Sequence, residues 1–452
     1  MVKIHFFGAA GRVTGSNFLI EGSKARYIVD CGLFQGEETI PKDNEQPFPY
    51  DSAQIKAVIV THAHLDHIGR LPKLVKEGFR GPIYATAATA DLTVLVLKDA
   101  LHLMERHHDQ EGRAMLYEQA DLDRTVAQFH PVPYHTKTEL LCGDSFTLYD
   151  AGHILGSASV LLEVDDKKLV FSGDIGHWPS VLLPQPESPP GADVVITEAT
   201  YGGEEREDPE DRLTVLKKAL AWTIERKGVL LIPAFSIERS QELLFLLHEL
   251  FVHHQLPRVP IFLDSPLAIE ALEVFERHKE LFAKKIQTEH GRRDDIFDFG
   301  SLALTPTVEE SKDINDVPPP KVIIAGSGMM VGGRIAHHLK HYLSRPNTCL
   351  LIIGFQAPGT LGERIANGRG AVEIAGAYIT IRANVVRTGA FSGHADNSEL
   401  LRWLQGTEIA DDGKVVIVHS EPGRAKKFQK ELIGILPGRT IETATYASSL
   451  EI

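Results

Sequence analysis

Four side chains that can bind a metal ion crowd into one short stretch of this sequence, THAHLDHIGR at residues 61–70. His62, His64, Asp66 and His67 fall within six positions, directly after the apolar run AVIV. Imidazole and carboxylate together suit zinc, manganese or iron, and a stretch without cysteine disfavours a purely structural zinc knot. His62 and His64, two apart, can project to one side of an extended segment, whereas Asp66 and His67 come where the chain turns into a helix. This geometry can serve two metal ions at once. The alternative is a solvated histidine-rich turn.

Further candidate ligands follow apolar segments later in the chain. His153 lies in DAGHILGS and Asp174 in FSGD, after the apolar run KLVF. Glycines in both turns let the backbone approach a site closely, and a carboxylate can bridge two cations where a histidine does so poorly. Each turn alone is common, and their order after THAHLDHIGR indicates a fifth and a sixth ligand. His394 in FSGHAD and His419 in VHSEP also follow apolar segments.

The elements that must position these residues change character along the chain. Short strands with glycine-rich turns come first and suggest a sheet whose loops gather on one edge. Residues 87–127 then read as helical, with His102, His107 and His108 on the surface. From about residue 201 to 370, apolar strands alternate with amphipathic helices, which indicates a parallel sheet covered on both faces. Strand character returns near residue 378, so we expect the first domain to be interrupted by a second and completed by the last segment.

Composition limits the class of protein. The chain has 452 residues, of which 43% are hydrophobic, and a net charge of −14. This charge argues against a broad basic surface for polyanions, although metal ions and a few arginines can hold phosphates locally. The N-terminus does not read as a secretory signal, and no apolar run approaches the roughly 18 residues of a membrane span. Three distant cysteines suggest no disulfide framework, so we expect a cytoplasmic protein without membrane contact.

The motifs THAHLDHIGR, GHILGS, FSGD, TEATYGG, FSGHAD and VHSEP, in this order, resemble the metallo-β-lactamase-fold RNA-processing nucleases of the β-CASP family. The resemblance is to the bacterial and archaeal homologues of the cleavage and polyadenylation endonuclease, and it covers essentially the whole chain. It implies an α/β protein in which a metallo-β-lactamase αββα sandwich, residues 1–203 and 371–452, is interrupted by a β-CASP domain. This inserted domain, residues 204–370, is expected to be α/β with a mainly parallel sheet.

The resemblance also implies a role for individual residues. It implies that seven residues bind two metal ions. The first ion is assigned to His62, His64 and His153, the second to Asp66, His67 and His419, and Asp174 is assigned to both. Two zinc ions per chain are expected, with manganese as the alternative. The implied catalytic residues are Asp66, Asp174, Glu198 and His394. Asp30 is expected to steady a ligand histidine from behind, as such sites commonly require.

The implied activity is hydrolysis of phosphodiester bonds in single-stranded RNA by a hydroxide that two zinc ions activate. It leaves a 5′-phosphate and a 3′-hydroxyl, through internal cleavage, 5′-exonucleolytic cleavage or both, in RNA processing or decay. His394, oriented by Glu198, is the expected acid for the departing 3′-oxygen. In the family, a histidine at the position of His419 goes with RNA substrates, whereas DNA-processing members tend to have valine. RNA phosphate contacts are expected from four further residues: Ser392, Arg334, Arg364 and Arg387.

Two other functions remain open at this point. A metallo-β-lactamase-fold hydrolase of thioesters or lactams would share the early motifs but has no need of the inserted domain. A non-catalytic RNA-binding subunit would be expected to have lost ligands. With no KH-type segment before the first motif and no long domain after VHSEP, substrate selection is expected from the cleft between the domains or from a partner. An oligomer is left open.

Overall fold

The computed structural model of the chain describes residues 1–36, 40–205, 211–253, 256–290, 296–297, 299–357 and 359–452. These residues divide into two units. The first unit combines Met1–Glu205 with Gly393–Ile452, and the second is Arg206–Ser392. The first unit is therefore assembled from both ends of the chain, with the second unit inserted between them.

The amino-terminal part of the first unit is rich in short strands. Its strands are β1 Lys3–Phe6, β2 Phe18–Glu21, β3 Arg26–Val29, β4 Ala57–Ile59, β5 Ile83–Ala85, β6 Phe129–Pro131, β7 Thr138–Glu139, β8 Ser145–Asp150, β9 Ala158–Val164, β10 Lys167–Phe171 and β11 Ala192–Glu198. Its helices are α1 Ile40–Glu45, α2 Leu65–Ile68, α3 Leu71–Lys76, α4 Ala87–Glu111 and α5 Gln119–Ala127.

The second unit alternates strands and helices. Its strands are β12 Val229–Pro233, β13 Ile261–Asp264, β14 Leu302–Leu304, β15 Lys321–Ala325, β16 Thr348–Ile352, β17 Ala371–Ile374, β18 Ala377–Thr380 and β19 Asn384–Arg387. Its helices are α6 Arg212–Glu225, α7 Arg239–His253, α8 Pro266–Arg277, α9 Lys284–His290, α10 Val308–Asp313, α11 Gly333–Tyr342 and α12 Leu361–Ala366. The chain then completes the first unit with α13 Asn397–Gly406, β20 Ile409–Val418, α14 Pro422–Ile435, β21 Thr440–Thr443 and β22 Ser449–Glu451.

The first unit is a sandwich of two sheets. Their strand orders are β22-β1-β2-β3-β4-β5-β6 and β21-β20-β11-β10-β9-β8-β7. Apolar side chains of both sheets, among them Phe6, Val29 and Phe171, meet in one buried core. On the other face of the second sheet, α13 and α14 bury Trp403 and Phe428 against it. The predicted αββα sandwich is thereby confirmed.

The helical stretch predicted for residues 87–127 consists of two helices. The first, α4, begins where the side chain of Thr86 accepts a hydrogen bond from the Thr89 amide, which caps the helix. It ends at Gly112, which has φ +68° and so adopts the left-handed conformation that closes many helices. His102 and His108 on this helix are exposed, as the sequence predicted, whereas His107 is half-buried.

A parallel sheet forms the centre of the second unit. Its order is β14-β13-β15-β12-β16-β19, and every neighbouring pair is parallel. Strands β12, β15 and β16 are buried along their whole length, which explains their continuous apolar sequences. The mainly parallel inserted sheet is therefore confirmed. Because β19 pairs with β16, the sheet extends past residue 370, the end that the sequence predicts for the inserted domain.

A buried carboxylate ties the strands of the second unit to its helices. Asp264, fully buried at the end of β13, accepts hydrogen bonds from the hydroxyls of Thr305 (3.0 Å) and Ser311 (2.6 Å). Nε2 of His338 (2.7 Å) and Nη1 of Arg334 also donate to it. Although burial raises the pKa of Asp264, its hydrogen bonds with His338 and Ser311 and the Arg334 charge bring the pKa below its usual value. This carboxylate is thus held ionised by the fold.

Replacing Asp264 by alanine is expected to lower the free energy of unfolding at pH 7 by about 3–5 kcal/mol, because it leaves Arg334 and His338 without their buried anion. The folded-state pKa is depressed, so this stabilisation is present above the ordinary value of about 3.9 and is lost as pH falls through the folded pKa. Urea unfolding between pH 3 and 7 measures it, with the exposed Asp313→Ala as control. A difference in unfolding free energy between wild type and Asp264→Ala that stayed constant down to pH 3 would contradict this explanation.

No helix among the described residues is long and apolar enough to cross a membrane.

Candidate metal centre

The predicted site residues of the first unit lie where strands end. Strands β3 and β4 are parallel neighbours, as are β10, β11 and β20. Because the carboxyl ends of parallel strands meet at one edge of a sheet, the turns that follow them gather there. Asp30 follows β3, the 61–70 stretch follows β4, and Glu198 ends β11.

A first group of four side chains converges in the interior of the first unit. His62, His64, His153 and Asp174 place one ligand atom each within 4.8 Å of one another. Nδ1 of His64 lies 3.0 Å from Nε2 of His62 and 3.2 Å from Nε2 of His153. An Asp174 oxygen is 3.5 Å from His62 and 3.7 Å from His153. Three imidazole nitrogens and a carboxylate facing one point form a donor set for a divalent cation.

A second group lies beside the first. Asp66, His67 and His419 also place a ligand atom each within 4.8 Å. Nε2 of His419 is 3.3 Å from Oδ2 of Asp66. These residues come from positions 353 apart in the sequence, which the packing of β20 against β11 brings together. The second group therefore depends on the last segment of the chain joining the first sandwich.

Asp174 contacts both groups. Besides His62 and His153, its carboxylate lies 3.4 Å from Nε2 of His67 and 3.7 Å from Nδ1 of His419. The residue is 2% exposed, and among the described residues its Oδ1 accepts no hydrogen bond. A buried carboxylate oxygen without a donor is costly unless a cation satisfies it. This carboxylate, with Oδ2 toward the first group and the orphaned Oδ1 toward the second, is the feature of the structure that best fits bound metal.

Neighbouring groups set which nitrogen of each histidine faces the centre. Nδ1 of His67 is 2.7 Å from Oδ2 of Asp30, so that nitrogen donates to the carboxylate and Nε2 faces Asp174. Nδ1 of His153 is 2.9 Å from the carbonyl of Gly393, with the same consequence for its Nε2. In both rings Nε2 is therefore the nitrogen that faces the centre. Burial lowers the pKa of His67, but the charges of Asp174 and Asp30 outweigh this and raise it well above its usual value, so a metal ion would take the place of the Nε2 proton there.

Hydroxyl groups that carry no sequence pattern complete these contacts. Thr61 donates its hydroxyl to Asp30 (2.8 Å), and its amide donates to the other oxygen of the same carboxylate. The hydroxyl of Ser16 is 3.3 Å from Nε2 of His67, and that of Thr200 is 3.1 Å from Nδ1 of His419. Sequence reasoning missed all three. Thr61 and Thr200 at least stand inside quoted motifs, whereas Ser16 carried no signal.

Burial and charge keep the first group in the forms that bind metal. Burial, with the positive charge of neighbouring histidines, lowers the pKa of His64 to about 4 and lowers that of His62 and His153 well below the usual value. These rings are therefore neutral near pH 7. Burial would raise the pKa of Asp174, but the charges of His419 and His67 take it well below its usual value. Neutral imidazoles and an ionised carboxylate are what a cation needs.

His394 stands at the edge of the centre with a carboxylate of its own. Its Nδ1 is 3.2 Å from Oε1 of Glu198 and 3.9 Å from Asp174, and its ring centroid is 4.6 Å from that of His153. Burial lowers its pKa, but the Glu198 charge and hydrogen bond outweigh this and raise the pKa to about 9. Oε1 of Glu198 also accepts from the Ile175 amide at 2.7 Å, which fixes the carboxylate. His394 is thus held as a protonated, 23% exposed group facing both solvent and the centre.

Two backbone features allow the ligand loops to approach so closely. A Cβ on Gly32 would lie 1.5 Å from the carbonyl oxygen of Asp66, so no other residue fits there. Asp30 and His419 both have positive φ, 58° and 47°. For non-glycine residues such a conformation is strained and persists where the surroundings hold it, here through the amide of His419 donating to the carbonyl of Ala9.

The four residues expected to contact RNA phosphates belong to the second unit. Arg387 is exposed at the end of β19, and Ser392 and Arg364 are half-buried. Arg334 is tied into the second unit, where its guanidinium donates to Asp264 and to the carbonyls of residues 305–307. For all four residues the RNA contact stays a prediction.

Three family descriptions match this chain. The metallo-beta-lactamase superfamily matches residues 10–221, the Beta-Casp domain residues 240–365, and the Zn-dependent metallo-hydrolase RNA specificity domain residues 378–442. Among similar proteins, Ribonuclease TTHA0252 of Thermus thermophilus is 39% identical over 452 residues, the whole of both chains. An RNase J-like protein of Methanocaldococcus jannaschii is 33% identical over 95% of this chain and 94% of its own length. Transcription termination factor FttA of Methanosarcina mazei is 33% identical over 89% of this chain and 64% of its own length.

Proposed function

The chain belongs to the β-CASP family of metallo-β-lactamase-fold RNA nucleases, and from this premise we propose that it hydrolyses single-stranded RNA with two zinc ions. The products are a 5′-phosphate and a 3′-hydroxyl. The observation that carries the proposal is Asp174, a buried carboxylate that approaches the first group with Oδ2 and the second group with Oδ1, an oxygen that accepts no hydrogen bond from the described residues. Family membership implies a divalent metal, and a donor set of imidazoles and carboxylates suits zinc, with manganese as the alternative.

The ligands divide between the two ions as the two groups divide. His62, His64 and His153 would hold one ion, and Asp66, His67 and His419 would hold the other. Asp174, whose carboxylate approaches both groups, would serve both ions. When bound, the ions would supply Lewis acidity that makes water nucleophilic near neutral pH and offsets charge on the attacked phosphodiester. Asp30 keeps the His67 ring turned toward its ion by holding Nδ1.

His394 and Glu198 act on the leaving group. A ribose 3′-oxygen leaves poorly unless it receives a proton, and His394 is a protonated side chain open to solvent at the edge of the centre. Glu198 holds Nδ1 of His394, so Nε2 is the nitrogen that gives its proton to the departing oxygen. Glu198 serves here by orienting the ring and stabilising its cationic form.

The test of this proposal is the identity of the RNA products. Internally labelled and 5′-labelled single-stranded RNA, with either a 5′-monophosphate or a 5′-triphosphate, is incubated with zinc-loaded enzyme. We expect fragments that ligate through a 5′-phosphate. Fragments with a 5′-hydroxyl and a 2′,3′-cyclic phosphate would contradict the proposal, since they require attack by the ribose itself. Release of mononucleotides from the 5′-monophosphate substrate alone would identify a 5′-exonuclease, and internal fragments from both substrates an endonuclease.

A further inference from the structure

Aromatic rings and cationic groups alternate along a column in the first unit. In order from the surface, the column consists of six residues: Tyr446, Arg12, Phe34, Arg70, Phe48 and Lys73. The guanidinium carbon of Arg12 lies 5.9 Å from the ring centroid of Tyr446 and 5.0 Å from that of Phe34. That of Arg70 lies 4.4 Å from Phe34 and 5.2 Å from Phe48, and Nζ of Lys73 is 5.2 Å from Phe48.

The inner part of the column is structural. Arg70 donates from Nε to the carbonyl of Gly32 and from Nη2 to that of Gly15, and Lys73 donates to carbonyls of residues 44 and 46. Both cations are 5% exposed, so their donors are already used inside the protein. Packing therefore explains these members of the column, but it does not explain the two at the surface.

The outer end is open to solvent. Tyr446 is 52% exposed, and the side chain of Arg12 is 35% exposed. Among the described residues of the first unit, Tyr446 is the one aromatic residue exposed to this degree. Arg12 makes a 3.2 Å ion pair with Asp43, whose side chain is 50% exposed. Such surface pairs contribute little energy, so Asp43 does not prevent Arg12 from contacting a ligand.

The backbone joins this outer end to the metal centre. Arg12 lies in a turn closed by a 3.0 Å hydrogen bond from the Ala9 amide to the Thr14 carbonyl. The amide of His419 donates to the carbonyl of Ala9 at 2.6 Å. On the other side of the turn, Ser16 donates its amide to the carbonyl of Asp66 at 2.8 Å. The turn is thus anchored at both ends on ligands of the second group, and its tip carries Arg12.

We propose that the Tyr446 ring and the Arg12 guanidinium form a binding position for one base of the RNA strand, beside the second group of ligands. A tyrosine ring offers a stacking surface to any base, and the guanidinium adds attraction for the base and its phosphate. The proposal rests on the ribonuclease function proposed above and assigns a position on the substrate path. Since stacking accepts all four bases, this position contributes affinity for single strands without sequence preference.

Steady-state cleavage of a short single-stranded RNA tests the position, with matched variants. Base stacking on an aromatic side chain predicts that Tyr446→Ala and Tyr446→Leu raise KM about 5- to 100-fold with kcat nearly unchanged. Tyr446→Phe keeps the ring and is expected to stay within about twofold of wild type. Tyr378→Ala is the control, because Tyr378 is an 82% exposed aromatic residue of the second unit. Fluorescent 2-aminopurine placed at successive RNA positions identifies the stacked nucleotide. At that position wild type quenches the fluorescence and Tyr446→Ala does not.

A small phosphodiester without a base, bis-p-nitrophenyl phosphate, separates binding from damage to the metal centre. Its hydrolysis is expected to be equal in wild type and Tyr446→Ala. An unchanged KM for RNA in Tyr446→Ala overturns the base-binding position and leaves the ribonuclease function intact. An equal loss of RNA cleavage and of bis-p-nitrophenyl phosphate hydrolysis in Tyr446→Ala also overturns the base-binding position. The Tyr446 ring would then serve only to support the structure around the turn that carries Arg12. Absence of RNA cleavage by the wild type would instead refute the proposed function itself.

Discussion

Replacing Asp174 by alanine is expected to reduce RNA cleavage at least ~10³-fold, because the variant loses several kcal/mol of metal-dependent stabilisation of the transition state. No other predicted ligand approaches all of His62, His67, His153 and His419 within the distances that the Asp174 carboxylate does, 3.4 to 3.7 Å. Without it, the positive charge of two metal ions would have no shared anion between them. We therefore expect the loss of activity to be accompanied by a loss of bound metal.

Metal content measured on the same preparations decides between this explanation and simple unfolding. Zinc-loaded wild type should contain two equivalents per chain, and Asp174→Ala fewer. Asp411→Ala is a suitable control, since the side chain of Asp411 is fully exposed on β20, the strand that leads to His419. Circular dichroism and thermal unfolding should show that the Asp174→Ala protein is still folded. Full activity in a folded Asp174→Ala protein would rule out a mechanism in which two ions share this carboxylate.

The sequence predicted those parts of the centre that depend on residue type and position after a strand. His62, His64, Asp66 and His67 are recognisable because four potential ligands in six positions are rare outside metal sites. The turn residues that follow β8, β10 and β20 are weaker signals, since a histidine or aspartate after a strand is common. They became interpretable only through their order along the chain, which reflects how parallel strands bring their carboxyl ends together.

Contacts that depend on three-dimensional packing were not predictable in the same way. Ser16 reaches His67, and the Gly393 carbonyl reaches His153 across 240 positions of sequence. Hydroxyl and carbonyl groups occur throughout any protein, so no local pattern distinguishes the ones that orient a ligand. Arg334 is a similar case in the second unit, because its guanidinium donates to a buried aspartate and three carbonyls that no local pattern indicates.

The sequence pattern also did not predict where the inserted unit ends, and the reason is physical. Residues 371–380 form the β17–β18 hairpin, and β19 then adds to the edge of the parallel sheet of the second unit. Short strands read alike whether they belong to a sandwich or to the edge of a parallel sheet. Only the pairing partner, β16, shows to which unit they belong.

Replacing His394 by alanine is expected to slow cleavage of ordinary RNA about 10²- to 10⁴-fold, the range that a lost general acid produces. The reason is geometric: His394 stands at the edge of the metal centre, 3.9 Å from Asp174, with Glu198 holding its Nδ1. Since His394 is outside the two ligand groups that we assign to the ions, the variant should keep both metal equivalents. Loss of activity with metal retained distinguishes this variant from Asp174→Ala.

The leaving group provides the sharper test of His394. An RNA with sulfur in place of the bridging 3′-oxygen needs little protonation on departure, because a thiolate is a far better leaving group than an alkoxide. We expect His394→Ala to cleave this substrate at nearly the wild-type rate, whereas Asp174→Ala should remain inactive on it. Glu198→Gln, which keeps a hydrogen-bond acceptor for Nδ1 but loses the negative charge, should lie between wild type and His394→Ala on ordinary RNA. If the sulfur substrate were cleaved as slowly as the oxygen substrate by His394→Ala, the histidine would be acting on the phosphate or the nucleophile, and the role of acid would have to be given up.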